Sequence, residues 1–312
     1  MRDPLGCTPE VTKTVVFLFG AGASYGAGDI VPERPPLGSA LFAELSRVHP
    51  GTWGRLPSEI ATTFKDLGFE VGMGQLFQQY SPIVAPLMQQ MAVYFIQFRP
   101  LRGKSMYCRL LHYLDKSGRL ERTVFSTLNY DCILEFAMLR QGKSFSYFDV
   151  DDLSTPLLKL HGSANWTSHN LKASAGIQYS SGVVFEAGIE ASLDIGTVIS
   201  KNLVNQGLAP VMSLYMQGKP LQVSPRSLEE IQQLWSAQVA KAAAVVLVGV
   251  RPWPADEHIW DPLAHTTAAL LAVGDELEFA TWADQYRTGN INYIGSRFDR
   301  SFDALTRRLE AL

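Results

Sequence analysis

Apolar and polar positions follow two periods along this chain. Val15 to Phe19, residues 122–126, Leu157 to Leu160 and Ala244 to Val250 are short, largely apolar runs. They are too short for buried helices and predict strands covered on both faces. Ala209 to Tyr215, Glu276 to Trp282 and Asn290 to Ile294 read as further strands. Between the runs the period lengthens to that of a helix. Gly38 to Val48 repeats through Leu41, Phe42, Leu45 and Val48, and Ile83 to Phe98 through Val84, Leu87, Met88, Met91 and Phe95. Ser105 to Leu114 repeats through Met106, Leu110, Leu111 and Leu114. Another helix runs through Leu134, Phe136, Met138 and Leu139. Ser224-Pro225 opens one with proline near its first turn, and Phe298 to Leu312 closes the chain as an amphipathic helix. Residues 167–206, rich in Ser, Gly and Asn, show only weak periodicity.

Strands alternating with helices predict an α/β fold, a Rossmann-like parallel sheet with helices on both faces. Residues 13–312 read as one domain, interrupted by a helical insertion over 37–120, with 1–12 as an N-terminal tail. The methionines of the insertion read as core, where their flexible side chains fill gaps.

Composition narrows the function classes. Of 312 residues 46% are hydrophobic and 18% charged, which suits a chain with a sizeable core. The net charge of −3 argues against a broad nucleic-acid or membrane footprint, so direct binding to either is not expected. The three cysteines, Cys7, Cys108 and Cys132, lie far apart and cannot form a four-cysteine zinc site, and nothing suggests a disulfide framework. A reducing cytoplasm is the simplest compartment. No apolar run reaches the roughly 18 residues of a membrane span, and Asp3, Pro4 and Glu10 interrupt any leader-like order at the N-terminus. Asp149, Asp151 and Asp152 read as a solvated acidic loop rather than a metal site.

Three stretches could carry chemistry, each directly after a predicted strand. Gly20-Ala21-Gly22-Ala23-Ser24 turns from the first strand into a helix, a geometry that offers bare N–H groups to a diphosphate. Its glycines, Gly20, Gly22 and Gly26, depart by one residue from the dinucleotide spacing, and Glu44 is the only near fit to a ribose-binding acid. Gly22-Ala23-Ser24-Tyr25-Gly26 also matches the nucleophile elbow of α/β-hydrolases. Its place after the first strand argues against that reading. Asn129 and Asp131 follow the second strand, where they could reach a ribose hydroxyl or a water, or simply cap the next helix. His161-Gly162 follows a third strand, and a neutral imidazole there suits general-base work.

In this order the stretches resemble the sirtuin family, and more closely its zinc-free, defence-associated branch. The resemblance rests on Gly20 to Ser24, Gly28 to Pro32, Thr127-Leu128-Asn129-Tyr130-Asp131 and Lys159-Leu160-His161-Gly162-Ser163. Weaker echoes are Ala209-Pro210-Val211, Val246 to Val250 and Ile291-Asn292. It implies an NAD site in which Gly20, Ala21, Gly22 and Ser24 hold the diphosphate. Asn129 and Asp131 would face the nicotinamide ribose, His161 would act as base or ribose contact, and Gly249 and Asn292 would hold the adenosine half. Sirtuin deacylases carry a cysteine zinc module after the His-Gly motif, whereas residues 163–312 contain no cysteine, so no zinc is expected. Leu128 stands where the family has Gln, and Arg34 is the nearest arginine to the family's cofactor-loop arginine. The resemblance therefore implies an NAD hydrolase, an effector of bacterial anti-phage defence that depletes NAD. Because unregulated NAD loss would be toxic to the host, such an activity is expected to be held off by homo-oligomer formation or a regulatory partner protein. The alternatives are an NAD-dependent deacylase or ADP-ribosyl transferase, and a non-enzymatic sensor of NAD or ADP-ribose.

Overall fold

Val16, Phe17, Leu18 and Phe19 are all fully buried. Side chains of a strand alternate between its two faces, so this strand is covered on both sides. The computed structural model describes residues 14–312 apart from 102, 150–153, 180–181, 205–207 and 214–222. The N-terminal tail, with Cys7, and Asp151 and Asp152 of the acidic loop lie outside the described residues.

The strands are β1 (Val15–Phe19), β2 (Ile30–Val31), β3 (Arg99–Pro100), β4 (Thr123–Thr127), β5 (Phe145–Ser146) and β6 (Thr155–Lys159). They continue with β7 (Trp166–Tyr179), β8 (Gly182–Ala191), β9 (Ala244–Val248), β10 (Ala269–Val273) and β11 (Ile291–Gly295). Seven of them form one sheet in the order β11-β10-β9-β1-β4-β6-β5. Every pairing in it is parallel, as expected of an α/β protein with helices as crossovers. The predicted Rossmann-like α/β class is the observed one.

Helices Met106–Lys116, Ile133–Arg140 and Phe298–Glu310 pack together on the sheet, where Phe298 and Tyr107 meet Phe19. Helices Pro225–Lys241, Glu257–His265 and Glu276–Tyr286 form a second group, in which Trp260 meets Trp282 edge-on. The chain between β1 and β4 is mostly helical. Helices Gly38–Val48, Ser58–Asp66 and Phe69–Gln79 share an aromatic core, with Phe42 stacked on Phe64 at 4.5 Å and Trp53 near Phe69 at 5.8 Å, and Phe95 of helix Ser81–Phe95 meets Tyr130. The loop that follows the first turn is tied to this block. β2 pairs antiparallel with β3, and the Leu101 amide donates to Asp29 at 2.7 Å. Glu44 sits on the block's surface and binds Arg47.

Three readings of the sequence need correction. Residues 276–282 are helical, not a strand, and the strand at this point is Ala269–Val273. Residues 209–213 form no strand. Pro210 has no N–H to give a ladder, and only Met212 bridges, to Gly162. Tyr215, the end of that expected strand, lies outside the described residues. Residues 167–206 contain most of a two-stranded ribbon, β7 with β8, and helix Ile195–Val204.

Candidate active site

Strand register gathers the three stretches at one edge. Val273, Val248, Phe19, Thr127 and Lys159 form a single row across the sheet. Gly20, Gly249, Asn129 and His161 follow that row by one or two residues, at the carboxyl ends of parallel strands. Beside β1 the chain's order reverses: it runs outward through β4 and β6 and returns to β9 on the other side. Such a switch point is where open α/β sheets bind ligands.

The turn after β1 and the turn after β9 interlock. The Gly20 amide donates to the Val248 carbonyl at 3.0 Å, and the Gly22 amide to that of Gly249 at 2.9 Å. A Cβ on Gly20 would lie 2.6 Å from the Gly249 oxygen, and one on Gly22 would lie 2.9 Å from Gly249 Cα. Gly249 has φ +62°, and a Cβ there would come within 2.1 Å of the Ala23 amide nitrogen. These glycines are required by the approach of one turn to the other, before any ligand is considered. On the outer side Ala21 is exposed.

Asn129 ties the second stretch to the first. Its Nδ2 donates to the Gly20 carbonyl at 2.9 Å and to Ser24 Oγ at 3.0 Å. Ser24, itself buried, is 3.1 Å from the Tyr107 hydroxyl. Burial pushes the Tyr107 phenol well above its ordinary pKa, and the Asp131 charge adds to this, so it remains a neutral hydroxyl. The chain Tyr107–Ser24–Asn129 orients the carboxamide from helix Met106–Lys116. The Ser24 hydroxyl is engaged by an amide and a phenol, not by an imidazole, so the elbow reading lacks its base.

His161 emerges from the third stretch into a second polar group. Its Nε2 lies 3.3 Å from His258 Nε2 and 3.8 Å from Asp256 Oδ2. His161 and Asp256 are buried, and His258 is half-buried. Gly162 makes this turn possible. Its φ is +78°, and a Cβ would strike the Val211 carbonyl at 2.2 Å. The Ser213 amide then donates to the His161 carbonyl at 2.9 Å.

Asp131 and Lys159, from the same two motifs, are buried beneath the edge, the Asp131 carboxyl still within reach of Ser24. Asp131 Oδ1 accepts from the Ile133 amide at 3.1 Å, as a local cap. Burial raises its carboxyl pKa, against the opposing pull of Lys159 and the Ile133 hydrogen bond. Lys159 Nζ donates to the Asp131 carbonyl at 2.6 Å and pairs with Glu135 Oε1 at 3.1 Å, and both side chains are fully buried. Burial opposes the lysine's charge, but Glu135 and its anionic neighbours leave its pKa raised. Tyr147 donates to Glu135 at 3.2 Å, and Asn165 to Tyr147 at 3.0 Å, extending the network beneath the edge.

Asn292 is not brought to the group. It lies within β11, opposite Leu271, and is held by Arg308 at 3.2 Å and the Leu270 carbonyl at 3.5 Å. Gly20, Ala21, Gly22, Ser24, Asn129 and Gly249 form one cluster. His161 stands at the same edge. Sequence reasoning missed Tyr107, Asp256 and His258. Asp256 and His258 carry the signal that picked out His161, polar groups following a strand's carboxyl end, but a proline-containing loop delays them. Among the described residues no group of His, Cys, Asp and Glu could hold a metal ion, and no helix is long and apolar enough to cross a membrane. The edge thus offers a glycine turn at which Ala21 is exposed while the Gly20, Gly22 and Ala23 amides bond within the protein, an oriented carboxamide and an imidazole pair backed by a carboxylate. Compared with known proteins, the chain matches no family model and no curated protein.

Proposed function

We propose that the protein is a sirtuin-like, zinc-free NAD hydrolase that cleaves NAD to nicotinamide and ADP-ribose. The observation that carries this reading is the common row: parallel register delivers Asn129 and His161 to the edge where the Gly20–Gly22 and Gly249 turns interlock. That is the equipment a dinucleotide cleavage needs. The turn around Ala21 faces outward to take a diphosphate. Asn129, held by Gly20 and Ser24, positions the nicotinamide ribose and a water. His161 accepts a proton as that water attacks the anomeric carbon, whose transition state has oxocarbenium character. Water supplies the hydroxyl of ADP-ribose, nicotinamide leaves neutral, and one proton is released. Asp131 serves the scaffold in this reading, because its carboxylate caps the following helix. Asn292 plays no part in it.

Uncontrolled loss of NAD would kill the producing cell. The reading therefore includes a role as an NAD-depleting effector of anti-phage defence, held in check by assembly or by a partner protein.

The test is incubation of the purified chain with NAD alone, followed by chromatography of the products. Nicotinamide and ADP-ribose are expected. His161→Ala and Asn129→Ala should each lower turnover by at least about tenfold while the protein stays folded. Unchanged turnover in both variants would overturn the assignment. Nicotinamide release only with an added peptide would indicate a deacylase or transferase, and tight NAD binding without product a sensor.

A further inference from the structure

The proton released by hydrolysis must leave a site whose base, His161, is only 3% exposed. The structure provides a neighbour for it. His258 Nε2 lies 3.3 Å from His161 Nε2, within hydrogen-bonding distance, and His258 is half-buried where His161 is buried. The two rings meet nearly edge-on, with centroids 5.4 Å apart and planes at 66°. Asp256 Oδ2 stands 3.8 Å from the same His161 nitrogen.

We propose that His161 and His258 share one proton across this contact, that Asp256 stabilises the charged form, and that His258 is the route by which the proton of hydrolysis reaches solvent. The last part rests on the NAD hydrolase reading. Two facing ring nitrogens cannot both carry hydrogen, so the contact requires one donor and one acceptor. A second added proton would set two imidazolium cations against each other, whereas the first is favoured by the adjacent carboxylate. The pair therefore titrates in two separated steps that belong to both rings.

In turnover His161 takes a proton from the attacking water at one ring nitrogen and passes the proton of its other nitrogen to His258. His258 in turn gives up a proton to bulk water. One proton enters the pair and one leaves, and each ring finishes as its other tautomer. Asp256 comes from the loop after β9 and His258 from helix Glu257–His265. Lys159, behind the His161 turn, is neutralised by Glu135, and Asp131 lies in that same buried network. Arg251, earlier in the loop, is paired with Glu278 at 2.9 Å. Asp256 and His258 are thus positioning and relay residues that act through His161.

The experiment is a histidine NMR titration of the full chain, run beside NAD hydrolysis over the same pH range. In the wild type the His161 and His258 resonances should move together in two steps separated by about one pH unit or more. In His258→Gln the His161 resonance should follow a single step, and in Asp256→Asn its midpoint should fall by about half a unit or more. His258→Ala should lose about tenfold in kcat with little change in KM, and added imidazole buffer should restore the rate. A His161 midpoint that neither Asp256→Asn nor His258→Gln moves overturns the shared proton. An unchanged kcat in His258→Ala, or a lowered one that imidazole fails to rescue, overturns the relay. A wild type that releases no nicotinamide overturns the hydrolase reading and the relay with it, and the titration still decides the shared proton.

Discussion

Two polar regions grow from the same two motifs and lie at different depths. Asn129 and His161 reach the sheet edge, and Asp131 and Lys159 lie buried beneath it, the Asp131 carboxyl still within reach of Ser24. Within each motif the two residues are only two positions apart. The upper region is partly open and joined by single hydrogen bonds. The lower one is sealed, with Lys159 and Glu135 fully buried. In the proposed NAD site a short polar motif at the end of a strand would therefore divide its labour: one member would meet the ligand and the other hold the turn that presents it. A residue's chemical type does not say which part it takes.

This division can be broken from below first. Lys159→Met strands the Glu135 carboxylate in the interior and should destabilise the fold by about 3–5 kcal/mol. The double variant with Glu135→Gln should recover a large part of that loss. Denaturant unfolding of both variants and of Glu135→Gln completes the cycle, and strict additivity would refute the pairing. Next in size is Gly249→Ala, which forces a side chain into the interlocked turns at positive φ. Strain and overpacking together predict a loss of about 2–5 kcal/mol, read from the melting transition.

The upper region should respond in rate rather than in stability. The tenfold loss expected of His161→Ala equals about 1.4 kcal/mol of barrier. It should come with a smaller shift in melting temperature than Lys159→Met gives. Asp131→Asn sharpens the contrast, because asparagine can still cap Ile133. Its turnover should fall by less than about tenfold.

The smallest effect is one of pH. The folded carboxyl pKa of Asp131 is raised, so its contribution to stability is fully present below the unfolded value. That contribution is lost as pH rises through the folded value. Asp131→Asn should therefore match the wild type best in acid and gain on it as pH rises through this range, as measured by unfolding at a series of pH values.

What the sequence reveals of this molecule follows the physics of each segment. Val15–Phe19 and Ala244–Val248 are legible because a strand buried on both faces must be apolar throughout. Residues 276–282 mislead because Leu277 and Phe279 alternate with Glu276 and Glu278, imitating a strand. The contrary signal is Asp275, whose side chain caps the helix by accepting from the Glu278 amide at 3.0 Å. The ribbon of β7 and β8 stands outside the main sheet, in a stretch whose Ser, Gly and Asn content leaves only weak periodicity. In the site, Asn129 and His161 are legible because they follow strands directly. Tyr107 is not, since it is one of several large residues on the buried face of its helix, and only its hydroxyl distinguishes it.

The clasp between the first loop and the helical block has a consequence for how this architecture can change. The chain leaves the sheet region at Ala27 and returns at Met106, and the Met106 amide donates to the Ala27 carbonyl at 2.7 Å. Everything between these residues is a closed excursion with adjoining ends. Closing such an excursion depends only logarithmically on its length, about 0.6 kcal/mol for each doubling. In closure entropy alone the excursion can lengthen or shorten at little cost to the sheet while the clasp is kept, and what ties it further is its last helix, where Phe95 packs on Tyr130 and Gln89 donates to the Leu208 carbonyl.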